Sequence, residues 1–152
     1  MEADHRAPVC VAGEIVIDSP PETVWDTLTD LSSWPQWMPG VKAMTVDEPV
    51  AVGTTFRWKA GPGTINSEVL EFEGPRIVGW NGRTLGIAAL HVWRLEGQGE
   101  RTRVSTEESW NGPLARLLRG QMSKMLKRTL DDGVTALKHE TERRRHAPSG
   151  PE

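Results

Sequence analysis

Between residues 41 and 110 the sequence repeats one pattern: a strand-length stretch of alternating apolar and polar residues, a turn signal, then another such stretch. Alternation with period two marks half-buried strands. The predicted strands are Val41–Asp47, Thr54–Ala60, Thr64–Glu73, Arg76–Asn81, Ile87–Glu96 and Thr102–Trp110. The breaks fall at Glu48-Pro49, Gly61-Pro62-Gly63, Gly74-Pro75, Asn81-Gly82 and Gly97-Gln98-Gly99, where proline fixes φ and glycine admits positive φ. Strands joined by such short turns pair antiparallel.

Two further patterns flank this meander. Val9–Ile17 alternates with Val9, Val11, Ile15 and Ile17 apolar, giving a first strand. Ser19-Pro20-Pro21-Glu22 then carries a helix start, with Ser19 as cap, Pro20 at the first helical position and Glu22 closing a capping box. A second short helix is expected in the tryptophan-rich stretch 30–40. After Asn111-Gly112-Pro113, Leu114, Leu118, Met122, Met125, Leu130, Val134 and Leu137 recur near helical spacing. A helix running to about Thr141 would be about 44 Å long. An antiparallel sheet of this size must cover its apolar face, and only this helix is long enough. The expected fold is α+β: a curved antiparallel sheet of about seven strands around a C-terminal helix, with a pocket where sheet and helix do not fill the space between them.

Composition narrows the function. The chain has 152 residues and a net charge of −3, which fits one domain and disfavours a general nucleic-acid binder. The expected globular part is about 9–141, with loose ends at 1–8 and 142–152; Arg143, Arg144 and Arg145 read as a solvated tail. Cys10 is the only cysteine, so no intrachain disulfide forms. No apolar run reaches membrane-spanning length, and Met1–Pro8 lacks a signal-peptide core, so a cytoplasmic protein is expected. His5, His91, His139 and His146 have no partners at metal-ligand spacing, and neither a phosphate-cradling glycine loop nor a nucleophile elbow is found. No metal or cofactor is expected.

The segments Ser19–Trp25, Leu31–Val41, Val52–Trp58, His91–Glu96, Thr102–Gly112 and Leu137–Glu140, in this order, give the chain a resemblance to the START-related SRPBCC superfamily with the helix-grip fold. It is most similar to the polyketide cyclase/dehydrase-like branch. The resemblance spans about Val9 to Glu140. It implies an apolar or aromatic, lipid- or polyketide-like ligand in a cavity between sheet and helix. It leaves open a carrier, a cyclase, aromatase or dehydratase, and a co-chaperone-like interaction module. A filled interior with an exposed apolar patch would favour the last.

Within that frame His91 is the leading titratable group. It shares a strand face with Trp93. Pairing through the Gly97–Gly99 turn, with Trp93 near Val104, would set His91 against Thr106 and put Glu108 on the diagonal. His91 and Glu108 are the candidate acid–base pair; the alternative is a structural hydrogen bond. In Thr64–Glu73, Asn66 and Glu68 share parity with Leu70 and Phe72, so an inward Phe72 makes both candidate ligand contacts; the opposite parity turns Ile65 and Val69 inward and Glu68 to water. Phe56, Trp58 and Trp93 are expected as aromatic walls among seven Trp, two Phe and no Tyr, with Met122, Met125 and Val134 lining the pocket from the helix. The sequence leaves open whether a second copy pairs on a sheet edge or on the long helix.

Overall fold

The computed structural model describes residues 1–147. The chain runs β1 (Val9–Ile17), α1 (Pro21–Thr29), a 3-10 turn (Leu31–Ser33), α2 (Trp34–Trp37), β2 (Val41–Val46), β3 (Thr55–Ala60), β4 (Gly63–Glu73), β5 (Ile77–Thr84), β6 (Ile87–Gln98), β7 (Arg101–Asn111), α3 (Pro113–Leu117) and α4 (Arg119–His146). The strands form one antiparallel sheet in the order β1-β7-β6-β5-β4-β3-β2. The fold is α+β, a seven-stranded curved sheet gripping the C-terminal helix.

The inner face of the sheet meets α4. Leu126, Leu130, Val134 and Leu137 are buried there. Gly13 of β1 approaches Leu130 and Asp131, and Gly133 of the helix lies near Trp93 and Met38. α1, the 3-10 turn and α2 close one side through Val24, Leu28, Leu31 and Trp34.

Several local expectations are corrected. Helix α1 begins at Pro21, one residue late, with Pro20 at its cap position and no side-chain cap. The Ser19 hydroxyl is instead buried without a partner. The Asn81-Gly82 pair lies inside β5 rather than in a turn. The Asn81 amide oxygen accepts the Glu68 N–H at 2.8 Å, and a side chain at Gly82 would press on the Ile65 methyl. The long helix breaks at Leu118, whose φ of −111° and ψ of 31° separate α3 from α4.

Among the described residues, both expected loose ends carry structure. α4 continues through the arginine run to His146; the last residues of the expected tail, 148–152, lie outside the described residues. Residues 1–7 lie across the outer face of the sheet. The Ala3 N–H donates to Glu107 at 3.1 Å, and the Asp4 N–H donates to the Ser109 hydroxyl at 2.9 Å. Arg94 donates to the Met1 carbonyl at 2.6 Å. These bonds satisfy backbone groups that a free lead would leave to water.

Candidate functional site

The site is built on β6 and β7. Their register pairs His91 with Glu108, Trp93 with Thr106 and Leu95 with Val104. This is two residues from the expected pairing, so the same face stays inward while the partners exchange places: Glu108 is directly opposite His91 and Thr106 is diagonal. A shift of two preserves the face because the side-chain period is two.

His91 is buried and held at both nitrogens. Its Nδ1 lies 2.7 Å from Glu108 Oε1, and its Nε2 lies 2.8 Å from Thr106 Oγ1. The Thr106 hydroxyl donates to the Val92 carbonyl at 2.9 Å. A hydroxyl has one hydrogen, so Thr106 accepts from His91 Nε2–H. The Nδ1–Oε1 contact ties the imidazole to the carboxylate. Trp110 Nε1–H donates to the other Glu108 oxygen, Oε2, at 2.5 Å. The result is a closed chain from Trp110 through Glu108, His91 and Thr106 to the backbone.

Around this chain the interior is aromatic. Trp80 and Trp93 flank His91, each with its ring centroid 5.3 Å from the imidazole. Trp34 meets Trp80 at 5.6 Å and Trp58 at 5.8 Å, edge to face. Phe56 contacts Trp58 and Trp80. Edge-to-face rings place positive edges on negative faces, which fixes the cluster's geometry as well as its volume. The indole N–H groups of Trp34 and Trp58 donate to the Leu28 carbonyl and the Ser67 hydroxyl. Trp93 Nε1 is buried and has no partner among the described residues. Aromatic rings thus line the inner face of the sheet. Among the described residues, a hollow of about 550 Å³ lies at His139, Glu142 and Arg143. Another of about 290 Å³ lies at Arg76, Arg94 and Arg103. Both are away from the rings.

Of the expected lining residues, Phe56, Trp93, Thr106, Met122 and Val134 are buried, and Trp58 is half-buried. Three are corrected. Asn66 and Glu68 face solvent. The cause is a bulge at Leu70: Val69 pairs with Trp80 but Glu71 pairs with Gly79, one extra residue on β4. A bulge resets the alternation, so Phe72 packs inward against the core together with Val69, while Ser67 takes the inward place. Met125 is 52% exposed, on the outer side of α4. Sequence reasoning gave Ser67, Trp80 and Trp110 no role at the site. Ser67 followed from the competing parity; for Trp110 the signal was its place two residues beyond Glu108, on the same strand face.

Elsewhere, burial pushes the Cys10 thiol up, with Glu107 and Asp4 adding to it, so it stays protonated and inert at neutral pH. No cluster of three His, Cys, Asp or Glu side chains that could hold a metal is found among the described residues.

Residues 8–142 match the family model described as "Polyketide cyclase / dehydrase and lipid transport". The chain belongs to that family. Its fold recurs in the crystal structure of a hypothetical protein from Helicobacter pylori, with TM-score 0.80, 20% identity and 90% of each chain covered. It is also similar to the Zhui aromatase/cyclase from Streptomyces sp. R1128, with TM-score 0.80, 16% identity, and 93% of this chain and 98% of that one covered. A START superfamily protein from Mycobacterium smegmatis aligns with TM-score 0.67 and 15% identity over 88% of this chain and 97% of that chain. At these identities the likeness is one of fold. No functionally curated protein gives a significant sequence match.

Proposed function

We propose that this family member binds an apolar small molecule of aromatic or acyl character between the sheet and α4, by shape and without covalent chemistry. One observation carries the reading. Both nitrogens of His91 and both oxygens of Glu108 already have protein partners, whereas the buried Trp93 donor has none. A buried unpartnered donor is costly, and an acceptor oxygen on an otherwise apolar ligand would satisfy it.

A cyclase or dehydratase is the second reading, supported by the buried His91–Glu108 contact at 2.7 Å. It requires an imidazole nitrogen to face substrate, so Thr106 must first release Nε2. It ranks below binding for that reason.

Native against denaturing mass spectrometry of the freshly purified protein tests the binding reading. A defined, releasable apolar mass is expected. Trp93→Phe keeps the ring and removes the donor, and should weaken binding of that compound about tenfold, the worth of one hydrogen bond. A bare chain mass, with no tryptophan-fluorescence response to flat polyphenols or long-chain acyl compounds, overturns it. If turnover is found and His91→Ala loses it while binding is kept, the enzyme reading replaces the carrier.

A further inference from the structure

We propose that the end of the molecule formed by the β3–β4 and β5–β6 hairpin tips and by α3 with the start of α4 is a docking face for an anionic lipid surface. The three parts adjoin. Gly63, at the start of β4, sits under the Leu85 side chain, and a side chain at Gly112 would overlap the Gly86 carbonyl. Leu114 of α3 and Ile87 of β6 pack against the same buried cluster.

The first observation is apolar. Leu85 is 62% exposed and Leu117 78% exposed; Leu118 and Met125 continue the exposed set. Leu85 is also the one residue other than glycine with positive φ, 47°, among the described residues. It and Gly86 form a two-residue hairpin with positive φ at both positions, a type I′ turn that favours Asn-Gly. A leucine here is disfavoured by the backbone and by water at once. Such an outlier points to function.

The second observation is charge. Residues 59–67, 82–90 and 109–130 contain none of the chain's 21 acidic residues and seven of its 18 basic ones. Arg83, Arg116, Arg119, Lys124 and Arg128 are all exposed. An acidic protein has therefore gathered a cationic end around its exposed leucines. Cations over protruding apolar tips complement phosphate headgroups over acyl chains. An acidic helix of a protein partner would instead need a groove to lie in, and these apolar residues sit on a tip and a convex helix. The face is distinct from a membrane span: no helix among the described residues is long and apolar enough to cross a bilayer.

The test is co-sedimentation of the ligand-free protein with phosphatidylcholine vesicles, with and without phosphatidylglycerol, so its outcome is independent of any internal ligand. Binding to anionic but not neutral vesicles is expected, lost at salt on the order of 0.5 M, where screening is strong. Leu85→Asn combined with Leu117→Gln should reduce binding about tenfold; Asn suits the turn, so the fold is kept, as circular dichroism would verify. Arg116→Glu with Arg119→Glu should reduce it at least as much. No binding to anionic vesicles at low salt overturns the proposal. So does binding that the charge variant abolishes and the leucine variant leaves intact, since charge alone would then suffice. Capture of an acidic protein through these residues without vesicle binding overturns it in favour of a protein partner.

Discussion

Trp110 hydrogen-bonds the carboxylate of its own strand neighbour Glu108, at 2.5 Å, and that carboxylate in turn clamps His91. The indole is two residues along the same face of β7, so Glu108 cannot turn away from His91 without leaving a second donor unpaired. Glu108→Ala should therefore cost about 2 kcal/mol or somewhat more, the range for stranding buried partners. Chemical denaturation of the variant reads this directly. A change within about 0.5 kcal/mol would mean that water replaces the carboxylate.

The bulge at Leu70 predicts a sharp contrast between adjacent residues. Val69 is 1% exposed and Leu70 is 41% exposed. Val69→Ala should cost roughly 1–3 kcal/mol through the cavity left behind, whereas Leu70→Ser should stay within about 0.5 kcal/mol. Thermal melts of the two variants decide it; the reverse order would turn Asn66 and Glu68 back towards the interior.

Gly112 has φ 120° and its α-carbon faces the Gly86 carbonyl. Gly112→Ala adds both a strained backbone and a backbone overlap, so a loss of about 2 kcal/mol or more is expected. Faster amide exchange in α3 and in the β5–β6 tip should accompany it. Unchanged exchange there would mean that the two parts do not depend on one another.

Docking of residues 3–7 should depend on pH. His5 is raised above its ordinary value near 6.5 by the hydrogen bond it donates to Glu107 and by that residue's charge. Its contribution is complete below that value and is lost as pH rises through the raised one. Partial burial pushes Glu107 up, but hydrogen bonds from His5, the Ala3 amide and Arg94 outweigh it and hold it below its ordinary value of 4.5. That contribution is present above 4.5 and fades as pH falls through the lowered value. Protection of these amides against exchange should peak between the two ordinary values. His5→Ala should remove the decline on the alkaline side; a decline unchanged by that substitution would assign it to another group.

Much of the architecture was legible in the sequence. The expected strands lie within a few residues of those observed, because alternation and turn chemistry are local signals. What local pattern does not encode is an extra residue. The alternation of β4 is intact on either side of Leu70, and anchoring it on Phe72 turned Asn66 and Glu68 the wrong way. Asn81-Gly82 misled for a related reason: the glycine lies against the Ile65 methyl of the neighbouring strand, a contact that local pattern does not encode. The His91–Glu108 pair was within reach because a two-residue error in register keeps the face. The fate of both imidazole nitrogens, which ranks binding above acid–base chemistry, required coordinates.

The pairing of β1 with β7 joins Val9 to Trp110, residues about 100 positions apart. Contacts of that span are slow to form. On a ribosome adding about 5–20 residues per second, the first strand emerges roughly 5–20 s before its partner. Strands β2 to β6 can pair with neighbours as they appear, but β1 must wait, with Val9 and Ile17 uncovered, until both β7 and the helix that seals it have been made. The first strand synthesised is thus among the last placed, and a nascent chain halted before β7 leaves an apolar strand in search of an edge.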